Sequence, residues 1–365
     1  MVTSLDPSRR LLATVLPSAR ELTVARRRLH AKAVVIVAAD VVGYAGLVAR
    51  GVPLAGRVAC AVLLVHALLA TATGIMHDAN HGSFARRRWV NRLLAYSADL
   101  LGASSWLWRF QHNELHHRHT NVEGVDNDID QAPFARLSPA QEWRSWHRWQ
   151  HVYLWPLYGF LALQWFVASD WRAIAAGGMG TQRFRTRLRA GDIARLAAGK
   201  VVHAAWALAL PMVWHAWWVV VCWYVACSWL VGFGLAVVFQ VAHCVDDADF
   251  VDHDIRSRGD DFVRHQLRTT VDVRLGRGPL GAYLGFLSGG LAFQVEHHLA
   301  PKVPHTHYPM MARRVRAMCE ANGLRHRVHR SPLAALVSHQ RWLRTMGAPP
   351  ATAAAAAVGS AAKAA

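Results

Sequence analysis

The sequence predicts an all-α integral membrane protein: four transmembrane helices in two hairpins, interfacial helices between them, and a cytosolic helical cap. Three observations lead there. The 365 residues are 53% hydrophobic, and the apolar residues come in long blocks separated by arginine-rich segments, as in a chain that enters a bilayer repeatedly. Many of the 16 tryptophans sit near block edges, among them Trp106, Trp108, Trp214, Trp217 and Trp218, where amphipathic rings suit the headgroup zone. Histidines gather at the ends of the blocks. The net charge of +18 fits a positive cytoplasmic face. It does not point to nucleic acid, because the arginines flank apolar blocks and form no nucleic-acid-binding motif. The five cysteines (Cys60, Cys222, Cys227, Cys244 and Cys319) include no C-x-x-C pair, which argues against a disulfide framework.

Residues 1–32 are polar and basic and carry no signal-peptide pattern, so this segment is expected in the cytosol. The first span covers about residues 33–50 and contains Asp40; Pro53 and Gly56 mark a turn. The second span, about 56–76, leads directly into His77-Asp78-Ala79-Asn80-His81. The i, i+4 spacing puts both rings on one face of a continuing helix. Arg86, Arg87 and Arg88 follow at once and place this end in the cytoplasm. Residues 93–110 are only moderately apolar and read as an interfacial helix. That helix leads into His112-Asn113-Glu114-Leu115-His116-His117-Arg118-His119-Thr120-Asn121. Asp126, Asp128 and Asp130 follow as an acidic loop that supports this group.

Residues 151–169 are long enough to cross, but a crossing would put Arg183, Arg185, Arg187 and Arg189 outside and the last histidines on the wrong face. The segment is therefore read as interfacial or re-entrant. A second hairpin, about 197–214 and 217–241, returns at Gln240-Val241-Ala242-His243. The cap beyond it holds Gln294-Val295-Glu296-His297-His298. The membrane domain thus runs over 33–346, and the alanine-rich end, 347–365, is expected to be disordered.

This topology puts eight histidines on one face: His77, His81, His112, His116, His117, His243, His297 and His298. Neutral imidazole is the commonest protein metal ligand and suits iron, copper and zinc. Eight rings are too many for one ion and suit two. Neighbours such as His116-His117 and His297-His298 diverge by about 100° on a helix, so each can serve a different metal. An all-nitrogen set without thiolates is unlike structural zinc. H-E-x-x-H is absent, and Glu-x-x-His occurs once, at Glu114 to His117. Isolated His66, His203 and His215 read as packing residues; they are also the one set from which a membrane haem carrier could draw axial ligands.

The stretches H-D-A-N-H, H-N-E-L-H-H-R-H-T-N and Q-V-E-H-H resemble the three histidine boxes of the membrane fatty acid desaturase family. The leading Gln294 is similar to the front-end and acyl-lipid branch. The resemblance covers roughly residues 30–325, including Gln240 to Asp246 and Pro304-His305-Thr306-His307-Tyr308-Pro309. It implies a di-iron centre, four spans and cytosolic boxes. It also implies use of O2 and two electrons to remove two hydrogens from a fatty acyl chain on CoA, carrier protein or lipid, leaving a cis double bond.

Position by position, the resemblance makes ligands of His77, His81, His112, His116, His117, His297 and His298, with His243 as an extra ligand. Gln294 stands where acyl-CoA members carry His and would bind weakly or through water. Asp78, Asn113, Glu114 and Glu296 are expected to orient imidazole N–H groups. No His-Pro-Gly-Gly haem motif is present, so a separate donor is implied: a ferredoxin, a flavoprotein reductase or a free cytochrome b5-like protein. A hydroxylase or ketolase on the same scaffold is the nearest alternative. The expected location is a bacterial inner membrane, with termini and boxes in the cytosol.

Overall fold

A computed structural model describes residues 7–252 and 261–350. Most of the alanine-rich end, for which disorder is expected, lies outside the described residues. Helix α1 (Pro7–Val15) precedes α2 (Ala19–Val48). The expected first span began near residue 33, but the helix starts at Ala19 because Ser18 caps it. Glu21 N donates to Ser18 Oγ, and Ser18 N donates to the Glu21 carboxylate at 2.8 Å. Half of the basic N-terminal segment is thus the first half of a 30-residue helix, about 45 Å long at the usual rise.

Helix α3 (Leu54–His81) is the second long apolar helix. It winds as a regular α-helix to Ala70, as a π-helix over Thr71–Met76, and as an α-helix again over His77–His81. It packs closely on α2 because Gly43 and Gly46 carry no side chain. A Cβ on Gly43 would lie 2.8 Å from Leu64 N, and one on Gly46 would run into Cys60 Sγ. Asp40 Oδ2 accepts a hydrogen bond from Thr71 Oγ1 at 2.6 Å, which pairs one of the two carboxyl oxygens within the span.

The stretch 93–110, expected as one interfacial helix, is divided among α4 (Arg88–Ala95), α5 (Ser97–Leu100) and α6 (Ser105–Arg109). Gly102 at φ +88° makes the break before α6. A π-helix, Phe110–His116, continues α6.

Helices α7 (Ser145–Tyr158) and α8 (Leu161–Ala176) meet at 72°. The corner, Gly159, lies against the indole of Trp229, whose Nε1 donates to Pro156 O at 3.0 Å. Both ends of the pair are tied to one loop. His147 donates to Pro133 O at 2.9 Å, and Thr181 Oγ1 donates to Gly124 O. The pair is thus sharply bent, with both ends held on the same loop, as a re-entrant segment would be.

Helices α9 (Ala190–Met212) and α10 (Trp217–His243) form the second hairpin. Its turn touches the turn of the first: His215 Nε2 donates to Val48 O at 2.7 Å, and Arg57 donates to the carbonyls of Leu47, Ala49 and Val52. Both turns lie at one end, and the histidine-bearing ends of α3 and α10 lie at the other.

At the histidine end sits the cap: α11 (Phe262–Thr269), α12 (Pro279–Leu287), α13 (Gln294–Leu299), α14 (Tyr308–Ala321) and α15 (Pro332–Gly347). Two-residue strands add an antiparallel pair, β1 (Gly178–Met179) with β2 (Gln182–Arg183), and a parallel pair, β3 (Asp272–Val273) with β4 (Val328–His329). Buried Val15, Val263, Leu267, Val295, Leu299 and Val315 clamp α13 between α1, α11 and α14. The short helix that carries the third histidine pair is thereby held on three sides.

Candidate metal centre

Two π-helical turns, Thr71–Met76 and Phe110–His116, lie at the histidine groups. In the second group, His117 N donates to His112 O at 2.9 Å, five residues back. This winding puts His112 and His117 on one face, with their Nε2 atoms 3.2 Å apart. An α-helix would instead bring i and i+4 together, so spacing alone pairs His112 with His116. His116 takes another side, toward His243 and His298.

The rings sort into two groups and a bridge. Ring nitrogens of His77, His81, His112 and His297 all lie within 4.8 Å of one another, as do those of His116, His243 and His298. His117 lies within the same distance of both His297 and His298. Adjacent His297 and His298 thus serve different groups, as their divergence on a helix requires.

Six of the ring Nε2 atoms lack partners, and four of those six rings are hydrogen-bonded through the other nitrogen. Nε2 of His77, His81, His116, His243, His297 and His298 is buried without a hydrogen bond. On the outer side, His116 Nδ1 donates to Asp126 at 2.9 Å and His297 Nδ1 to the Tyr308 hydroxyl at 3.1 Å. His298 Nδ1 donates to Gln266 Oε1 at 3.0 Å and lies 3.1 Å from Thr120 Oγ1; His243 Nδ1 donates to Thr269 O at 3.4 Å. Holding the proton at Nδ1 turns the Nε2 lone pair inward, the tautomer a metal needs. Each buried polar atom left unpaired costs roughly 1–3 kcal/mol. Six converging orphans are therefore a donor set that fits two cations.

Burial also holds His112, His117, His297 and His298 well below the ordinary imidazole range, helped by neighbouring rings. Those four are neutral at physiological pH, as ligands must be. Burial acts downward on His116 too, but Asp126 outweighs it and raises that ring.

The four expected orienting residues divide. Asp78 stands 3.6 Å from His77 Nδ1. Asn113 reaches no ring; its Nδ2 donates to Asn80 O at 3.1 Å and ties the second group to the first. Glu114 points away, to Arg185 at 3.4 Å on the surface. Glu296 is fully buried, but one residue before His297 it faces the other side of α13, toward Asp272 and His326. There burial, with Asp272 beside it, pushes its carboxyl well above the usual range. Asp272 Oδ1 also accepts Val295 N at 2.9 Å and so secures α13, whereas Glu296 faces away from the eight rings.

Of the acidic loop, Asp126 and Asp128 lie at the site and Asp130 does not. Gln294 is buried beside His243. His305 turns to Asp78, at 3.0 Å. Sequence reasoning missed Gln266, Thr269 and the bond to Tyr308. Tyr308 falls in the P-H-T-H-Y-P stretch, which was a signal; Gln266 and Thr269 carried none.

The haem-carrier alternative fails on geometry. His66 Nδ1 bonds Val62 O in its own helix, both His203 nitrogens are engaged by Leu100 O and Tyr224, and His215 is at the far turn.

A cavity of about 510 Å³ opens against both groups, with His243 and Gln294 also in its lining. His77, His112 and His297 form part of its wall; Met76, Trp108, Trp165, Leu235 and Phe239 make it largely apolar.

Residues 53–330 match the family model described as fatty acid desaturase. The sn-1 linoleoyl-lipid 6-desaturase of Arthrospira platensis is 32% identical over 300 residues, 80% of this chain and 78% of that protein. The protein of the same description from Synechocystis sp. is 30% identical over 299 residues, 79% of each chain. The acyl-lipid (8-3)-desaturase of Physcomitrium patens is 35% identical over 277 residues, 75% of this chain and 57% of that protein.

Proposed function

The chain belongs to the fatty acid desaturase family and is an oxidoreductase that desaturates fatty acyl chains; from that premise we propose an iron-dependent enzyme acting on the acyl chains of membrane lipids. The observation that carries the reading is the meeting of unpartnered buried ring nitrogens with an apolar cavity. The lipid-linked substrate rests on the relatives, two of which are described as linoleoyl-lipid 6-desaturases.

In this reading His77, His81, His112 and His297 hold one iron, His116, His243 and His298 the other, and His117 stands between them. Gln294 contributes beside His243, weakly or through water. Bound iron would supply activation of O2, in the balance R–CH2–CH2–R + O2 + 2 electrons + 2 H⁺ → R–CH=CH–R + 2 H2O. The protein's own work is placement. Trp108, Leu235 and Phe239 exclude water from the acyl chain, and the rings of His77, His112 and His297 set which methylenes lie beside the centre. Asp126, Tyr308, Gln266 and Thr269 keep the ring protons outward. Electrons come from a separate, acidic donor protein drawn to the basic face around the cap.

The test is the lipid profile of a bacterial host expressing the chain together with a ferredoxin and its reductase, beside a His297→Ala, His298→Ala control. A new acid lighter by two hydrogens and absent from the control is the expected result. A product heavier by one oxygen would instead make the protein a hydroxylase. Rates indifferent to salt would count against the electrostatic donor site.

A further inference from the structure

One buried polar chain leaves the metal centre and is not used above. Asp78 Oδ1 stands 3.6 Å from His77 Nδ1. Its other oxygen accepts both His305 Nδ1–H, at 3.0 Å, and His305 N–H, at 3.1 Å. Lys32 Nζ meets His305 Nε2 at 3.0 Å, with the Phe286 ring 4.8 Å from the ammonium on another side. Asp78 and His305 are buried and Lys32 is half-buried.

We infer that Lys32 and His305 are positioning residues for the ring of His77, acting through Asp78, and that α2 is thereby part of the metal centre. The inference rests on the two-cation reading above. Donor and acceptor chemistry gives the chain one direction. An ammonium only donates, so His305 Nε2 accepts and its proton sits on Nδ1. That proton goes to Asp78, whose other oxygen lies 3.6 Å from His77 Nδ1, an electrostatic contact longer than a hydrogen bond. Neither His77 ring nitrogen has a hydrogen bond, and one of them lies within 4.8 Å of ring nitrogens of His81, His112 and His297. A carboxylate behind a ligating histidine fixes the ring and raises its donor strength; here a histidine and a lysine fix the carboxylate in turn.

The surroundings keep space for this chain. A Cβ on Gly290, at φ +76°, would lie 2.9 Å from His305 Cβ, so only glycine lets that backbone pass. Lys32 precedes the family-matched region, which starts at residue 53.

The competing account is a latch between α2, α3 and the cap with no bearing on the metal. Full-length protein in detergent, loaded with isotopically enriched iron(II), separates the two. Wild type, Lys32→Met, His305→Phe and His305→Asn are titrated with an iron(II) chelator, and their Mössbauer spectra and thermal midpoints are recorded. Lys32→Met and His305→Phe should release one of two irons about 10–100-fold more readily and change one site's spectrum only. His305→Asn, whose amide N–H replaces the Nδ1–H, should recover most of the affinity. Unchanged affinity and spectra, with or without a lower midpoint, would overturn the inference and leave the metal centre standing. A wild type that binds no iron would overturn the centre itself.

Discussion

Asp126 uses both carboxylate oxygens. Oδ2 accepts His116 Nδ1–H and Asn121 N–H, each at 2.9 Å, and Oδ1 accepts Asp128 N at 3.0 Å. It orients the ring that meets His243 and His298, and folds the loop behind it. Asp126→Asn keeps the shape and removes the charge, so metal affinity should fall by about 10–100-fold. Asp130, two turns of loop further on, only accepts Ala132 N and is exposed; Asp130→Asn should retain metal like wild type. Metal per chain after dialysis against graded chelator decides it, and equal losses in the two variants would mean a general loop effect. This contrast was half legible in the sequence. Histidines at span ends announce themselves, because neither a core nor a bilayer has another use for eight of them. Their outer partners do not: Gln266 lies 32 residues from His298, and its bond forms only when α11 packs on α13. Glu296 misled for a simpler reason. Adjacent residues on a helix point about 100° apart, so a carboxylate beside His297 in sequence is turned away from it in space.

The four spans followed from apolar length, whereas the π-helical turns did not. No composition separates Thr71–Met76 from the helix before it, since both are apolar and small. A tertiary contact falls on this turn: Thr73 Oγ1 donates to Leu287 O at 2.7 Å as well as to Leu69 O in its own helix at 3.0 Å, and a Cβ on Gly289 would run into Thr73 O. The early start of α2 could have been read from Ser18-x-x-Glu21, a capping box masked by the arginines that follow. Helix α15 shows how the cap is fastened to the bundle. His339 Nδ1 donates to Cys244 O at 2.7 Å, just past the end of α10, and Nε2 accepts the Tyr158 hydroxyl at 2.8 Å. Burial pushes this imidazole down to about 4, against an opposing pull from the Cys244 carbonyl. The unfolded chain protonates His339 near pH 6.5. Between there and about 4 the unfolded state binds a proton that the folded state does not, so stability is lost as pH falls. His339→Asn should be less stable than wild type at pH 7.5, by on the order of 1–2 kcal/mol. Its deficit should shrink on acidification, because the variant has no such proton to bind. Thermal midpoints of both proteins from pH 7.5 to 5 provide the measurement, and a constant gap would mean that His339 does not titrate differently in the two states.

At the scale of the whole molecule, charge and connectivity give the same orientation. The two hairpin turns, residues 49–57 and 213–216, contain only Arg50 and Arg57 as formal charges. The opposite end carries Arg26 to Arg28, Arg86 to Arg88, and Arg183, Arg185, Arg187 and Arg189. Short arginine-rich loops stay in the cytoplasm, so the histidine end should face it, where soluble electron donors are. This orientation requires α7 and α8 to be re-entrant. With α7 and α8 turning back, the loop around Gly124 and the strand turn at Thr181 lie side by side, joined by their hydrogen bond. Were the pair a fifth crossing, they would be separated by the bilayer and α10 would deliver His243 to the face opposite His77. Fusions of a phosphatase that is active only in the periplasm, expressed in a bacterial host, test both points at once. Fusions after residues 51 and 215 should be active; fusions after 124, 180 and 347 should be inactive, and fluorescent-protein fusions should give the converse. Opposite signals at 124 and 180 would mean that the pair crosses. Reversal at every position would keep the fold but put the centre on the outer face, away from cytoplasmic reductant.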